Sequence, residues 1–176
     1  TSNVPLTGSN WTHDVEVGAT KDWSRFAWVS PGYFDAMGIR LIEGRGFTLE
    51  DTQQSPRVAV VNQAFVRKFG NGPSILGRTL RTGAEPRYPS TVYQIVGVIP
   101  DTQYNSLWGD PPPMAFAPDS QHPSPQPSSA VMVYPAMAPP AIGPTIKRTV
   151  AAKHPGLFVD FIDFRATVQG GLLRER

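Results

Sequence analysis

Thr91-Val-Tyr-Gln-Ile-Val-Gly-Val-Ile99, stopped by Pro100, decides the fold class. It is rich in β-branched and aromatic residues and too short for a typical helix, so it reads as a strand. Val58-Ala-Val-Val61 is a second apolar run, continuous rather than alternating, as in a strand covered on both faces. Between them, Asn62 can cap a helix over Gln63 to Phe69, with Phe65 and Phe69 four apart and facing the core. Gly70-Asn-Gly-Pro73 terminates that helix. Ile75 to Arg81 turns into another strand, and Met114-Ala-Phe116 forms a short one.

Outward toward Thr1, Phe26-Ala-Trp-Val29 is a further β-prone run. Ser30 is a good N-cap and Pro31 suits a first helical position. A short helix then buries Tyr33, Phe34 and Met37, and Gly38 stops it. Ile39 to Ile42 reads as the next strand, ended by Glu43-Gly-Arg-Gly46. Thr1 to Trp23 holds one short strand inside loops. Asn10-Trp11-Thr12 is a formal glycosylation sequon without meaning outside a eukaryotic secretory pathway.

Toward Arg176, Asp119 to Ser129 contains Pro123, Pro125 and Pro127 and is expected to be an exposed connection without regular structure. Ala130-Val-Met-Val-Tyr134 reads as a strand. A helix follows from Pro139 or Pro140 to about His154, with Ile142, Ile146 and Val150 on one stripe. Leu157-Phe-Val-Asp-Phe-Ile162 reads as a strand, and Arg165 onward has no breaker until Gly170-Gly171. These elements predict an α+β fold of two lobes, an outer one from 1–46 plus 119–176 and an inserted mixed α/β one from 47–118.

Composition narrows the function classes. The chain has 176 residues, 40% hydrophobic and 17% charged, with a net charge of +2. That is too apolar and too weakly charged for intrinsic disorder. Glycine and proline together make about one fifth, below the level of low-complexity chains. With no cysteine, disulfides and thiolate metal sites are excluded. No dense basic stripe exists for a nucleic-acid backbone, so no nucleic-acid partner is expected. No run approaches the roughly 18 apolar residues that span a bilayer. The chain opens at Thr1 without a signal-peptide pattern and reads as a soluble piece of a longer polypeptide.

Reactive constellations are hard to find. His13, His122 and His154 have no ligand-spaced partners, and solvated or helix-capping roles are expected for them. The carboxylates fall as Asp14/Glu16, Glu50/Asp51, Asp101/Asp110 and Asp160/Asp163, and no segment houses a glycosidase pair. No Gly-x-Ser-x-Gly elbow occurs. Gly70 to Gly77 lacks the ending of a phosphate loop and follows a helix instead of preceding one. Trp11, Trp23, Trp28 and Trp108 are dispersed, with core or loop anchoring expected. No catalytic residue, cofactor or metal is therefore expected, and the chain is read as no enzyme.

Four segments, taken in order, resemble the periplasmic core domain of MacB-like permeases, within the FtsX-type family of ABC transporters. They are Val29-Ser-Pro-Gly-Tyr-Phe-Asp-Ala-Met-Gly-Ile-Arg-Leu-Ile-Glu-Gly-Arg-Gly-Phe47; Pro56-Arg-Val-Ala-Val-Val-Asn-Gln-Ala-Phe-Val-Arg-Lys-Phe69; Ser74-Ile-Leu-Gly-Arg78; and Ile95-Val-Gly-Val-Ile-Pro-Asp101 followed by Pro111-Pro-Pro113. The likeness covers most of Phe26 to Asp163. It implies a periplasmic domain inserted between two membrane helices of a bacterial inner-membrane protein, with a porter-like outer lobe. It also implies an ATPase on the cytoplasmic side, a periplasmic adaptor and a second permease protomer as partners. Leu172, Leu173 and Arg174 would begin the helix leading into the membrane. Pro-rich 119–129 is longer than the family pattern. The expected function is a non-catalytic body that passes on conformational change and contacts cargo or an adaptor. Tyr104, Leu107 and Trp108 are the candidate contact, with packing over the sheet as the competing role. The alternative is a secreted carbohydrate-binding or hydrolase domain using Trp28, Trp108 and an acid pair.

Overall fold

In the computed structural model, which describes residues 5, 11–104, 108–124, 129–133 and 139–174, the chain forms seven named strands and four α-helices. In order these are β1 (Thr12–Val17), β2 (Thr20–Val29), α1 (Tyr33–Ala36), β3 (Glu43–Gly44), β4 (Val58–Asn62), α2 (Gln63–Phe69), β5 (Thr79–Thr82), β6 (Val92–Ile99), β7 (Met114–Pro118), a 3₁₀ turn at Asp119–Gln121, α3 (Pro139–Lys153) and α4 (Phe164–Arg174). The fold is α+β, as expected.

The strands close on themselves. β6 pairs parallel with β4 and antiparallel with β5. β4 continues to β7, β7 to β2, β2 to β1, and β1 back to β5. Six strands thus form a ring, which removes the open edges that invite unwanted strand pairing. β3 adds to β6 beyond the β5 pairing, with Gly44 opposite Gly97. Both glycines are required there. A Cβ on Gly97 would collide with the Arg45 carbonyl, and one on Gly44, whose φ is +76°, with the Val96 carbonyl.

Alternation along the strands makes two apolar clusters. One holds Val15, Val17, Phe26, Trp28, Ala59, Val61, Leu80, Tyr93, Ile95, Ala115 and Ala117, joined by Phe65 and Phe69 of α2. The other takes the alternate residues Ala27, Val29, Val58, Val60, Met114 and Phe116, covered by Tyr33, Phe34, Phe47 and Tyr104. β4 and β7 are buried along their whole length. That double burial is what the unbroken Val58–Val61 run anticipates.

Polar side chains tie the loops to this body. The Asn62 carboxamide accepts from the amides of Phe65 and Met114, at 2.9 Å each, and donates to the Pro112 carbonyl at 2.9 Å. One buried residue thereby caps α2 and joins β4 to the start of β7. Gln121 is fully buried. Its carbonyl accepts from Val58 N–H at 3.0 Å, and its NH₂ reaches the Thr52 and Pro56 carbonyls and Ser55 Oγ. Arg57 donates to the Gln121 backbone carbonyl at 2.7 Å, and Ser120 Oγ donates to the Asp51 carbonyl.

Several elements depart from the sequence reading. Residues up to Trp23 contribute a full hairpin, because Gly18, with φ +60°, turns β1 into β2. α1 begins at Tyr33, not Pro31, since Gly32 is left-handed and serves as the N-cap. Ile39 to Ile42 is not a strand: Ile39 N–H bonds back to the Phe34 carbonyl, and pairing starts at Glu43. Asp119–Gln121 forms a 3₁₀ turn whose Gln121, with the following His122, is buried, while Asp119 and Ser120 are exposed, so part of the anticipated exposed connection faces inward. The anticipated lobes share one sheet, β1–β3 coming from 1–46 and β4–β7 from 47–118.

Compact units divide between Met132 and Val133. In the second unit, α3 and α4 run as helices, but Leu157–Ile162 is not in a strand. Nor is Ala130–Val133, the described part of the anticipated Ala130–Tyr134 strand, in a strand; Tyr134 lies outside the described residues. Strand propensity is realised only where a partner edge exists. Phe158 stands 89% exposed, against 1% for Phe116. Phe116→Ala should therefore cost about 3–5 kcal/mol in urea unfolding, while Phe158→Ala should stay within about 0.5 kcal/mol. Equal losses would contradict this assignment of the core.

Candidate functional site: the 101–113 loop and the histidine–aromatic wall

The loop after β6 is set by Asp101. Its carboxylate accepts from Ala64 N–H at 2.6 Å and from Arg67 Nη2 at 2.7 Å. A carboxylate at the first turn of α2 satisfies an amide that has no partner within the helix. Gln103 Nε2 closes the loop onto the Gly109 carbonyl at 2.8 Å. Within this loop the candidate contact residues separate. Tyr104 is 4% exposed, lies edge-on to Phe116 with centroids 6.2 Å apart, and is hydrogen-bonded to Tyr33. Burial first, then Tyr104 itself, pushes the Tyr33 phenol well above its usual range. Trp108 is 54% exposed. Leu107 lies outside the described residues. Tyr104 thus packs over the sheet, while Trp108 presents an indole to the surroundings.

The second feature was not legible as a site. Trp11, His13, Trp28, Tyr88 and His122 form one wall. Trp11 lies edge-on to Tyr88 at 3.7 Å and tilted against Trp28 at 4.5 Å, centroid to centroid, and Trp28 lies 4.2 Å from His122. Both histidines are buried, contrary to the solvated roles expected of them. His13 Nδ1 is 3.0 Å from Glu85 Oε1, an ion-pair distance, though outside hydrogen-bond geometry. Trp11 Nε1 donates to the other oxygen of Glu85 at 3.3 Å. Burial lowers the His13 pKa, opposed by Glu85 and Asp14. Burial likewise lowers that of His122, opposed by Asp119. A cavity of about 230 Å³ beside His13 is lined by Thr12, Asp14, Gly83, Ala84 and Glu85. His154 follows α3 and is exposed, as expected.

Two further acids hold structure. Asp51 takes a two-pronged pair from Arg45 at 2.8 and 2.9 Å and accepts Thr48 N–H. The Arg45 bond first, then Thr48, holds its pKa below the usual range. Asp163 accepts from Arg165 and Ala166 at the start of α4. Among the described residues no group of three or more His, Asp or Glu is placed to hold a metal ion. The carbohydrate-site alternative is not supported: Trp28 is 2% exposed inside the strand ring, and Trp108 is on a surface loop. The backbone of α4 runs through Leu172, Leu173 and Arg174. No helix among the described residues is long and apolar enough to cross a membrane.

Two predictions follow from this placement. Tyr104→Ala should lose about 3 kcal/mol or more in chemical denaturation, whereas Trp108→Ala should lose less than about 1 kcal/mol. The second concerns acid. A lowered folded pKa means that Asp51 stabilises the fold fully above the ordinary carboxylate value of about 3.9 and loses that stabilisation as pH falls through the lowered one. Asp51→Asn should flatten this part of the acid limb in a stability–pH profile; an unchanged limb would contradict it.

The comparisons agree with this geometry. Residues 4–148 match the family described as MacB-like periplasmic core domain. No curated protein sequence matches the chain. The periplasmic region of MacB from Actinobacillus actinomycetemcomitans is similar in structure, with a TM-score of 0.60 at 15% identity, over 88% of this chain and 76% of that one. A domain of a protein described as a permease in Porphyromonas gingivalis gives 0.53 at 14%, over 84% and 71%. The extracellular domain of the noncanonic ABC-type transporter YknZ from Gram-positive bacteria gives 0.47 at 16%, over 64% and 56%. With the closed strand body shared in fold and the family match running over most of its length, this chain belongs to the MacB-like periplasmic core domains.

Proposed function

We propose that this domain works as a non-catalytic transmission body of an ABC-type efflux permease. It would carry conformational change between membrane helices of the same chain and a periplasmic adaptor or cargo. The carrying observation is the closed six-stranded ring, packed on both faces of β4 and β7. A sheet without a free edge resists shear, so displacement applied at one end reaches the other. Trp108 is the part of the anticipated contact that faces outward, and an exposed indole on a closed loop suits a protein partner. On this reading Leu172 to Arg174 lie toward the membrane, in a bacterial inner-membrane protein. A second permease protomer and a cytoplasmic ATPase complete the assembly. No step calls for a cofactor.

The test uses the full permease. Deleting the domain should abolish export while ATP binding on the cytoplasmic side persists; export that survives the deletion would overturn the proposal. Trp108→Asp in the intact permease should lower export several-fold with unchanged ATP binding. Unaltered export would remove Trp108 from the contact.

A further inference from the structure

The mechanism above leaves one group unused: a buried, titratable side chain at the point where the chain leaves the strand ring. β7 ends at Pro118, and the 3₁₀ turn Asp119–Gln121 carries the chain to His122. Gln121 anchors the turn through Val58 N–H, the Thr52 and Pro56 carbonyls and Ser55 Oγ. Beyond Gln121 the ties change kind. His122 packs its ring on Trp28 and lies near Tyr88 and Trp11, at 5.9 and 6.4 Å. Its Nδ1 accepts the Ser124 N–H at 3.0 Å.

That last bond has a protonation requirement. Nδ1 can accept only while it is unprotonated, so the ring is the neutral tautomer with its proton on Nε2. The imidazolium would turn Nδ1 into a donor facing another donor. It would also place a charge where the side chain is 5% exposed. We propose that His122 is a proton-operated latch: neutral, it holds residues 122–124 against the aromatic wall; protonated, it releases them, while Gln121 keeps the preceding turn in place.

The surrounding charges set the direction. Asp119, on the same turn, favours the cation. The Arg57 guanidinium, bonded to the neighbouring Gln121 carbonyl, disfavours it. Tyr88 faces the ring from the 85–88 bridge, Trp28 from β2 and Trp11 from the approach to β1. Behind Trp11 stand His13 and Glu85, which oppose one another in charge once His13 is protonated. Burial outweighs Asp119, so the folded pKa lies below the ordinary histidine value. The closed state then binds fewer protons than the open one. The latch is fully closed above about pH 6.5 and weakens as pH falls toward the lowered value. Each unit of separation between the two values weakens closure about tenfold at the acid end.

NMR titration of the isotopically labelled domain from pH 7.5 to 5.0 tests this. The His122 ring and the Ser124 amide should titrate with one shared midpoint below 6.5. Over the same range Ser124 should lose hydrogen-exchange protection, corrected for intrinsic exchange, while Val58, held by Gln121, keeps its own. His122→Asn, whose side-chain oxygen can accept the Ser124 N–H without titrating, should abolish the transition; His13→Asn should leave it. Separate midpoints for His122 and Ser124 in the unmodified domain, constant Ser124 protection, or a transition that survives His122→Asn would each overturn the latch. The first two readings need no variant, so they decide the matter even if a substitution prevents folding.

Discussion

Everything in this structure depends on β6 having partners along both of its edges. Its first residues face β5, its last face β3, and its other edge runs along β4. Without that double engagement the sheet would be an open ribbon with an exposed edge, and the β5 pairing to β1 would have nothing to close against. With it, six strands share one interior. Phe26 and Trp28 of β2 meet Tyr93 of β6 there, with centroids 4.9 Å (Phe26–Trp28) and 5.4 Å (Phe26–Tyr93) apart. Large buried aromatics of this kind contribute much of a small domain's apolar burial. The glycine pair at Gly44 and Gly97 is the local condition for the short β3 strand to approach β6 at all.

The same closure explains why the polar side chains serve structure. A ring of short strands leaves many loops, and each loop must satisfy backbone groups that the ladders do not reach. Asn62, Asp51, Asp101 and Gln121 do this for the loops around β4 and α2. Each accepts or donates more than one hydrogen bond, and each would leave at least one backbone group unsatisfied on removal. A domain whose carboxylates and amides are committed in this way suits a role as a moved body. His122 is different. Its contribution depends on a proton, and it sits next to the fully satisfied Gln121, at the exit from the ring.

Much of this was legible. The Val58–Val61 run announced a strand buried on both faces, and the Asn62 cap and the Phe65/Phe69 spacing announced α2. Four ordered segments carried the family. The buried histidine was half visible: His13, Val15 and Val17 share one face of a strand, and reading that alternation back by two residues would have placed His13 inside. Ring closure was not legible, because which strands pair is a matter of long-range register. Nor was Gln121, since a glutamine in a proline-rich stretch carries no local sign of the amide it will satisfy sixty residues away. The opposite error came at Leu157–Ile162. Its residues favour a strand, but propensity supplies no partner, and the segment stays unpaired.

The central claim is that the strand ring moves as one piece. These 176 residues hold no cysteine, so two can be introduced at chosen positions of the domain, with any cysteine elsewhere in the permease replaced to remove background labelling. Asp35 and Arg81 are both exposed, one on α1 and one on β5. Spin labels at Asp35→Cys and Arg81→Cys in the full permease report the distance across the ring by pulsed electron resonance, with and without bound ATP. A single distribution, unchanged between the two conditions while export remains active, is the result this account predicts. A distribution that shifts or splits when ATP binds would mean that the domain deforms instead of transmitting, and would contradict it.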